Sequence, residues 1–565
     1  MKQTKQGLGV IAILVVLAVL VFGGIYAGIT LTQNVGKSKA VVSTEKALDK
    51  LDKLYKDIYV SQVEARKEPV ELTNTDLKDV LPEISKYPMQ VEPITSQYVE
   101  IFASLEKTGK AKDGWLIDVA QAFNKKGFEI NGQKVSVGIR GMSSGMGMDY
   151  IVSGKYTPDA YSPSNELFGD IMKAKGIDVT LYEPRLIGNV AGMLLSRKTH
   201  DALTQKYGTI NLKSVTEAVG NNELAMGYTN PFASATGLNF LVSTLNTFDA
   251  KDPLSDKAIA GFEAFQKNVP VVAYTTIQMR ESAESGVLDG FIMEYQTYVN
   301  APDLKSDYIF TPFGVRHDSP LYTVGNLSSE KEEIMKCFID FCKEASNQKI
   351  ATEYGFNQLE DYVPELSKVA SEVVPQAQKL WKEKKDSNRP IAAVFVADVS
   401  GSMYGEPMHN LQKSLISGAE YIGKENSIGL VTYSDDVAIN LPIGQFDLNQ
   451  RSLFTGAVID MEAAGGTATF DGMIVGIKML MEEKAKNPDT KLLLFVLSDG
   501  ETNKGHSLND IEEVLSSLKI PVYTVGYNAN IKALEKISSI NEAASINADS
   551  EDVVYKLGSL FNAQM

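Results

Sequence analysis

Cysteine and histidine are scarce in this chain, with two and four residues among 565. Two thiols exclude a disulfide-built scaffold and a four-cysteine zinc site. They stand at Cys337 and Cys342, in the helical stretch EEIMKCFIDFC. Five positions along a helix set them about 8 Å apart on different faces, beyond the roughly 7 Å limit for a disulfide. Buried free thiols, packed as small apolar groups, are expected. Four histidines without a shared spacing define no triad, and HExxH, GxSxG and CxxC are all missing. Positive charge is short too: 55 Lys and Arg stand against 71 Asp and Glu, a net of −16. A chain this acidic, lacking a basic patch, repels phosphate backbones, which argues against nucleic-acid partners.

What is present is ordinary globular composition, 44% hydrophobic and 22% charged, which rules out a largely disordered or collagenous chain. The length suggests about three to four folding units. One segment departs from this average. Lys2 and Lys5 precede an uncharged, apolar run of 25 residues at 7–31, long enough as a helix to span about 37 Å. It predicts a signal anchor over 1–33, with the charged end cytoplasmic and everything after Gln33 outside. A cleaved signal peptide is the rival, but its apolar core is usually about 7–15 residues. No cysteine follows for lipid attachment, and Gly24 and Gly28 form a small-xxx-small pair.

Residues 34–96 read as a helical stalk and connector. Leu48, Leu51, Leu54, Tyr55 and Ile58 recur at helical spacing between lysines and aspartates, as a stalk or docking helix would require. Two larger units follow, 97–385 and 390–565, joined by a charged stretch ending at Pro390. From Ile391 onward 23 acidic side chains face 12 basic ones, so most of the net charge sits in the last unit.

That last unit alternates strand-like and helical patterns. Residues 391–397 and, after Lys491, 492–497 are continuous apolar runs, as expected of strands buried on both faces. The pattern predicts a doubly wound α/β domain, whose ligands sit at the carboxyl ends of its strands. Asp398-Val399-Ser400-Gly401-Ser402 follows the first run and Ser498-Asp499-Gly500 the second, with Gly465-Gly466-Thr467 between. The carboxylates of Asp398 and Asp499 and the hydroxyls of Ser400, Ser402 and Thr467 are hard oxygen donors, suited to Mg²⁺, or to Ca²⁺ or Mn²⁺, and not to zinc or copper. Glu406 and Asp471 read as rim residues or helix starts, Asp435 and Asp436 as a turn, and His409 and His506 as surface residues.

The set Asp398, Ser400, Ser402, Thr467 and Asp499 resembles the metal-ion-dependent adhesion site of von Willebrand factor type A domains. The resemblance implies a Rossmann-like fold over about 175 residues. It also implies a cation bound directly by Ser400 and Ser402, with the two aspartates acting through water and Thr467 engaging according to conformation.

The central unit also alternates: YVEIFAS, WLIDVAQAFN, KVSVGI followed by GMSSG, TNPFASATG, and GVLDGF. This order resembles the two-lobed bacterial extracellular solute-binding proteins. By position the resemblance implies a ligand cleft formed by Ser104, Ser143, Ser144, Ser234 and Thr236, with Tyr295 on its wall. Such loops present hydroxyls and N–H groups at helix N-termini, where anions and polar groups are favoured. The same residues read equally well as helix N-caps.

The whole is expected to be a two-lobed solute-binding-like domain followed by a type A domain, after one transmembrane helix. The expected role is non-enzymatic. A protein on the cell membrane, with its domains extracytoplasmic, captures a protein partner that gives an acidic side chain to Mg²⁺, while the central domain takes a solute or positions its neighbour. The alternative is a solute-binding or sensing component of a transport or membrane complex. Hydrolysis is disfavoured, since no general base stands beside the metal motif.

Overall fold

The computed structural model describes residues 42–70, 76–269, 272–273, 279, 289–364, 367–386, 389–500, 502–527, 545–548 and 552–565. The apolar run 7–31 and its Gly24–Gly28 pair lie outside the described residues. Among the described residues no helix is long and apolar enough to cross a membrane. The described chain opens with helix α1 (Thr44–Lys56), where Ser43 accepts a hydrogen bond from the Lys46 amide. Strand β1 (Val60–Gln62) follows.

The central unit has two sheets. The first takes β2 (Gln97–Ala103), β3 (Glu129–Ile130), β4 (Gln133–Gly141), β5 (Ala160–Ser162) and β6 (Val179–Glu183). The second takes β7 (Val190–Ser196), β8 (Met226–Thr229), β9 (Val272–Ala273), β10 (Gly290–Glu294) and β11 (Tyr308–Arg316). The chain then returns, and β12 (Leu321–Val324) joins the first sheet between β5 and β6. The orders are β3-β4-β2-β5-β12-β6 and β11-β7-β10-β8-β9. Each sheet is the centre of one lobe, and the chain crosses between lobes at residues 184–189 and 317–320. Helix α2 (Ser144–Ser153) belongs to the first lobe and α3 (Ala235–Phe248) to the second. Helix α4 (Val373–Lys384) closes the unit by burying Trp381, whose Nε1 donates to Tyr228 Oη at 2.6 Å. Cys337 is half-buried and Cys342 buried, both as free thiols.

The last unit is a seven-stranded sheet, β1-β15-β14-β13-β16-β17-β18. Its strands are β13 (Ile391–Asp398), β14 (Ser427–Tyr433), β15 (Val437–Gln445), β16 (Lys491–Ser498), β17 (Val522–Tyr527) and β18 (Ser545–Ala548). All the pairings are parallel except β14 with β15. The apolar runs make sense as central strands. Ala393, Phe395 and Ala397 pack on one face, and Ala392, Val394 and Val396 on the other. Successive side chains alternate across a sheet, so a strand covered on both faces needs no polar position. Helices α5 (Thr469–Lys486) and α6 (Leu508–Leu518) cover the second face, and α7 (Val553–Gln564) packs Phe561 against Phe395 on the first.

The stalk expectation changes here. Helix α1 packs on α5 and α6, burying Leu51 in the C-terminal core with Leu48, Leu54, Tyr55 and Ile58 beside it. Ion pairs of 2.8 Å join Lys50 to Glu513 and Asp52 to Lys478. Strand β1 extends the C-terminal sheet by pairing with β15. The amphipathic face of α1 therefore completes the last domain, and the two-lobed unit is an insertion between β1 and β13. Residues 82–96 belong to that insertion, where Tyr150 Oη donates to the Pro82 carbonyl at 2.8 Å and Val91 bridges to Ile139, while Val80 before them is buried in the C-terminal core.

The two units touch through α7. Tyr555 Oη donates to Asp149 Oδ2 at 2.8 Å, Gln564 Nε2 to the Val272 carbonyl at 2.9 Å, and Lys382 Nζ to the Asn562 carbonyl at 2.9 Å. Burial pushes Asp149 up to about 6, against the opposing pull of the Tyr555 hydroxyl and the Lys175 charge. A raised carboxyl favours the fold below its unfolded pKa near 3.8 and loses that contribution as pH rises through about 6. Asp149→Asn should remove this dependence. Thermal or urea unfolding at pH 5 and pH 7 is expected to show the unmutated protein losing about 1 kcal/mol more than the variant over that interval. Equal losses would contradict the assignment.

Candidate functional sites

The metal-site residues come together by strand register. Strands β13 and β16 are parallel with Ala397 opposite Leu497, so Asp398 and Ser498 end side by side. Ser498 Oγ donates to Asp398 Oδ2 at 2.6 Å, and the Ser400 amide to Asp398 Oδ1 at 2.8 Å. Ser400 Oγ and Ser402 Oγ are 3.0 Å apart, and Ser402 Oγ donates to Asp499 Oδ1 at 2.9 Å. The third segment is pinned by backbone: Gly401 N donates to Gly465 O at 3.0 Å, and Ala464 N to Val399 O at 2.8 Å. Thr467 is buried, its amide donating to Asn503 Oδ1 at 2.9 Å. Gly465 has φ +81°, and a Cβ there would stand 2.6 Å from Asp435 Oδ2, so only glycine fits.

Asp435, expected only as a turn residue, is a latch. It accepts from the Gly466 amide at 3.0 Å and pairs with Lys504, tying three loops together. Asp471 takes both the amide and Nδ1 of His506, at 2.9 and 2.6 Å, so His506 is partly buried and committed to Asp471. His409 and Glu406 are exposed.

Asp398 is fully buried. Burial raises its pKa, against hydrogen bonds from Ser400 and Ser498, and the Asp499 charge raises it further. A buried carboxylate next to a second one is costly unless a cation compensates. Among the described residues no group of three or more His, Cys, Asp and Glu is placed to hold a metal. With two carboxylates here, any coordination must draw on the hydroxyls of Ser400, Ser402 and Thr467, an all-oxygen set that fits a hard divalent ion.

The second site lies between the lobes. A cavity of about 30 Å³ is lined by Ser104, Ser143, Ser144, Ser234 and Thr236, together with Glu106, Asp113, Ser164 and Glu294. Capping and lining coincide: Ser143 Oγ accepts from Met146 N at 3.4 Å and Ser234 Oγ from Gly237 N at 3.3 Å, while both border the cavity. Tyr295 stands apart. Its ring packs edge-on to Phe310, 5.0 Å between centroids, and beside Tyr298.

Sequence reasoning missed the charged residues here. Lys107 is fully buried, donating to Ser104 Oγ, to Glu106 Oε1 at 3.3 Å and to the Pro163 carbonyl at 3.4 Å. Burial lowers its pKa, against the pull of Glu106. Burial opposes the Glu106 charge, but Lys107, Ser104 and Ser164 outweigh it and hold that carboxyl below its ordinary value. Glu294 ends the wholly buried strand β10 and accepts on Oε1 from Thr236 Oγ1 at 3.0 Å and from His317 Nδ1 at 2.9 Å. Burial and the Glu106 charge push Glu294 up, opposed by His317 and Thr236. The His317 tautomer follows from its neighbours. Asn165 and Asn239 accept backbone N–H groups on Oδ1, so their Nδ2 groups donate to His317 Nε2 at 2.9 and 3.1 Å and leave the ring proton on Nδ1. A carboxylate ending a purely apolar strand was the one signal available for Glu294. His317 offered none.

The lobes are closed on each other. Gly145 N donates across the cleft to Ala233 O at 3.1 Å, and Gln296 Nε2 to Asp113 Oδ1 at 2.9 Å. A Cβ on Gly145 would fall 2.0 Å from Phe232 O.

Comparison with known proteins follows the same division. Residues 393–562 match the von Willebrand factor type A domain, and residues 108–357 the bacterial extracellular solute-binding protein family. The inter-alpha-trypsin inhibitor heavy chain H3 of Bos taurus is 29% identical over 177 residues, covering 29% of this chain and 20% of that protein. The chain thus spans about a fifth of the length of such curated relatives. A von Willebrand factor type A structure from Catenulispora acidiphila covers 31% of this chain and 42% of its own, at 16% identity and TM-score 0.27. The sulfate-binding protein SubI of Mycobacterium tuberculosis covers 51% and 91%, at 12% identity and TM-score 0.34.

Gly145→Ala should wedge the lobes apart. Overpacking of this kind costs about 1–3 kcal/mol, to be read by chemical unfolding. Gly220→Ala, whose Cβ would meet nothing closer than 3.9 Å, should be neutral or stabilising. Equal effects would show that the Gly145 contact is not closed in solution.

Proposed function

We propose that this chain is a non-enzymatic binding protein held at the outer face of a cell membrane by residues 7–31. In this reading Asp398, Ser400, Ser402, Thr467 and Asp499 hold Mg²⁺, or Ca²⁺ or Mn²⁺ in its place, and a protein partner contributes an acidic side chain to the ion. Bound there, the ion supplies a Lewis-acidic contact for that carboxylate. The chain's own part is to hold its hydroxyls and carboxylates at the strand ends and to expose one side of the set.

The observation that carries the reading is a gradient of exposure across the five residues. Asp398, Ser400 and Thr467 are buried, whereas Asp499 is half-exposed and Ser402 faces solvent. Tyr404, 83% exposed, stands two positions beyond Ser402 and offers the aromatic contact that protein interfaces favour. The insertion of the two-lobed unit also bears on placement. Residue 42 already touches the C-terminal domain, its amide donating to Ser517 Oγ at 3.2 Å. Ten residues separate it from the apolar run, a reach of at most about 35 Å. The C-terminal domain would therefore lie nearer the membrane than the lobes.

A second reading, a solute-binding or sensing component of a membrane complex, is favoured by the cavity between the closed lobes, which serines and carboxylates border.

The test of the leading reading is metal dependence. Mg²⁺ at a hundredfold excess over its Kd should stabilise the protein by about 3 kcal/mol. EDTA should reverse the gain, and Asp398→Ala should lack it while keeping its circular-dichroism spectrum. Partner capture from a membrane extract should vanish in EDTA. Capture by the unmutated protein that is equal with and without chelator would refute the metal-dependent grip.

A further inference from the structure

Glu294 lines the cavity between the lobes, and one of its carboxylate oxygens has no hydrogen-bond partner among the described residues. Glu294 is 2% exposed, its Oε1 accepts two hydrogen bonds, and its Oε2 has no partner. An unsatisfied buried carboxylate oxygen costs several times an ordinary hydrogen bond, so a site that retains one has a use for it. The use is read from which donors and acceptors remain unspent.

The donors are largely committed. All three N–H groups of Lys107 are taken by Ser104, Glu106 and the Pro163 carbonyl. At the N-terminus of α2, Gly145 N donates to Ala233 O and Met146 N to Ser143 Oγ; at that of α3, Gly237 N donates to Ser234 Oγ. Three amides at these helix ends are thus spent on the protein itself. Three carboxylates, Glu106, Asp113 and Glu294, border the cavity, and among the described residues no Lys, Arg or His does. The unsatisfied group is an acceptor in an acidic wall.

We propose that this cleft binds a small organic ammonium, with Glu294 Oε2 accepting an N–H from the ligand and neighbouring serine hydroxyls completing its shell. The proposal rests on the solute-binding reading of the two-lobed unit and names the ligand class for it. Size is limited: about 30 Å³ holds roughly two water-sized groups, so anything much larger than methylammonium requires the lobes to part. Glu294 also meets the lobe crossing directly, through His317 in residues 317–320. The ligand's anchor and the hinge are therefore one hydrogen-bonded unit.

The experiment uses the full chain at constant ionic strength. Its thermal unfolding is followed with ammonium, methylammonium and ethanolamine chlorides, and separately with sodium sulfate, phosphate and molybdate. Saturable stabilisation by at least one of the three amines is expected, with at least tenfold weaker apparent affinity in Glu294→Gln. His409→Ala, an exposed position in the other domain, should bind the amine unchanged. Stabilisation by an oxyanion that Glu294→Gln preserves would overturn the ammonium assignment and leave the solute-binding reading standing. No stabilisation by any of the six probes would count against both. Should Glu294→Gln not fold, the probe panel on the unmutated chain still decides, because an amine-selective response supports the proposal and its absence overturns it.

Discussion

A single carboxylate, Asp398, organises the C-terminal domain's functional edge. It ends the central strand of a seven-stranded sheet, out of contact with water, and is held by the Ser498 hydroxyl and the Ser400 amide. Those two bonds fix the loop that carries Ser400 and Ser402 and align it with the strand that delivers Asp499. The price of burying this charge is offset only in part by the protein's own donors. The negative field left over is what a hard cation would balance, and the proposed function depends on it.

The rest of the architecture serves to hold that edge and to add a second module. Helix α1 and strand β1 come before the lobes in sequence, yet they complete the C-terminal sheet. The two-lobed unit is therefore carried as an insertion with both of its ends returning to one domain. It also leans on that domain through Asp149 and Tyr555. A change in lobe angle would act on α7, which packs Phe561 into the core beneath β13. The two units thus share a packed contact at α7.

Much of the fold could be read from the sequence, because doubly apolar strands and amphipathic helices leave strong periodic marks. Residues 391–397 and 492–497 announce buried parallel strands, and the oxygen-bearing residues sit immediately after them. The serine loops of the cleft were legible for a similar reason, each standing between a strand and a helix. Other features depend on which strands become neighbours, and no local pattern encodes that. His317 meets Glu294 only because β10 and β11 both pair with β7. The apolar face of α1 says that something must cover it but not that the cover lies more than four hundred residues away. Tyr295 failed as a cleft residue by one position: Glu294 turns inward, and the next side chain joins the Phe310 cluster.

The most direct test of the central claim is a crystal structure of the outer region grown with Mn²⁺ in place of Mg²⁺. Anomalous scattering locates the ion without assumption. The account expects one peak per chain within bonding distance of the Ser400 and Ser402 hydroxyls, between Thr467 and the two aspartates. A data set with no peak there, or with Asp499 closed onto Ser402 and the ion bound elsewhere, would contradict it.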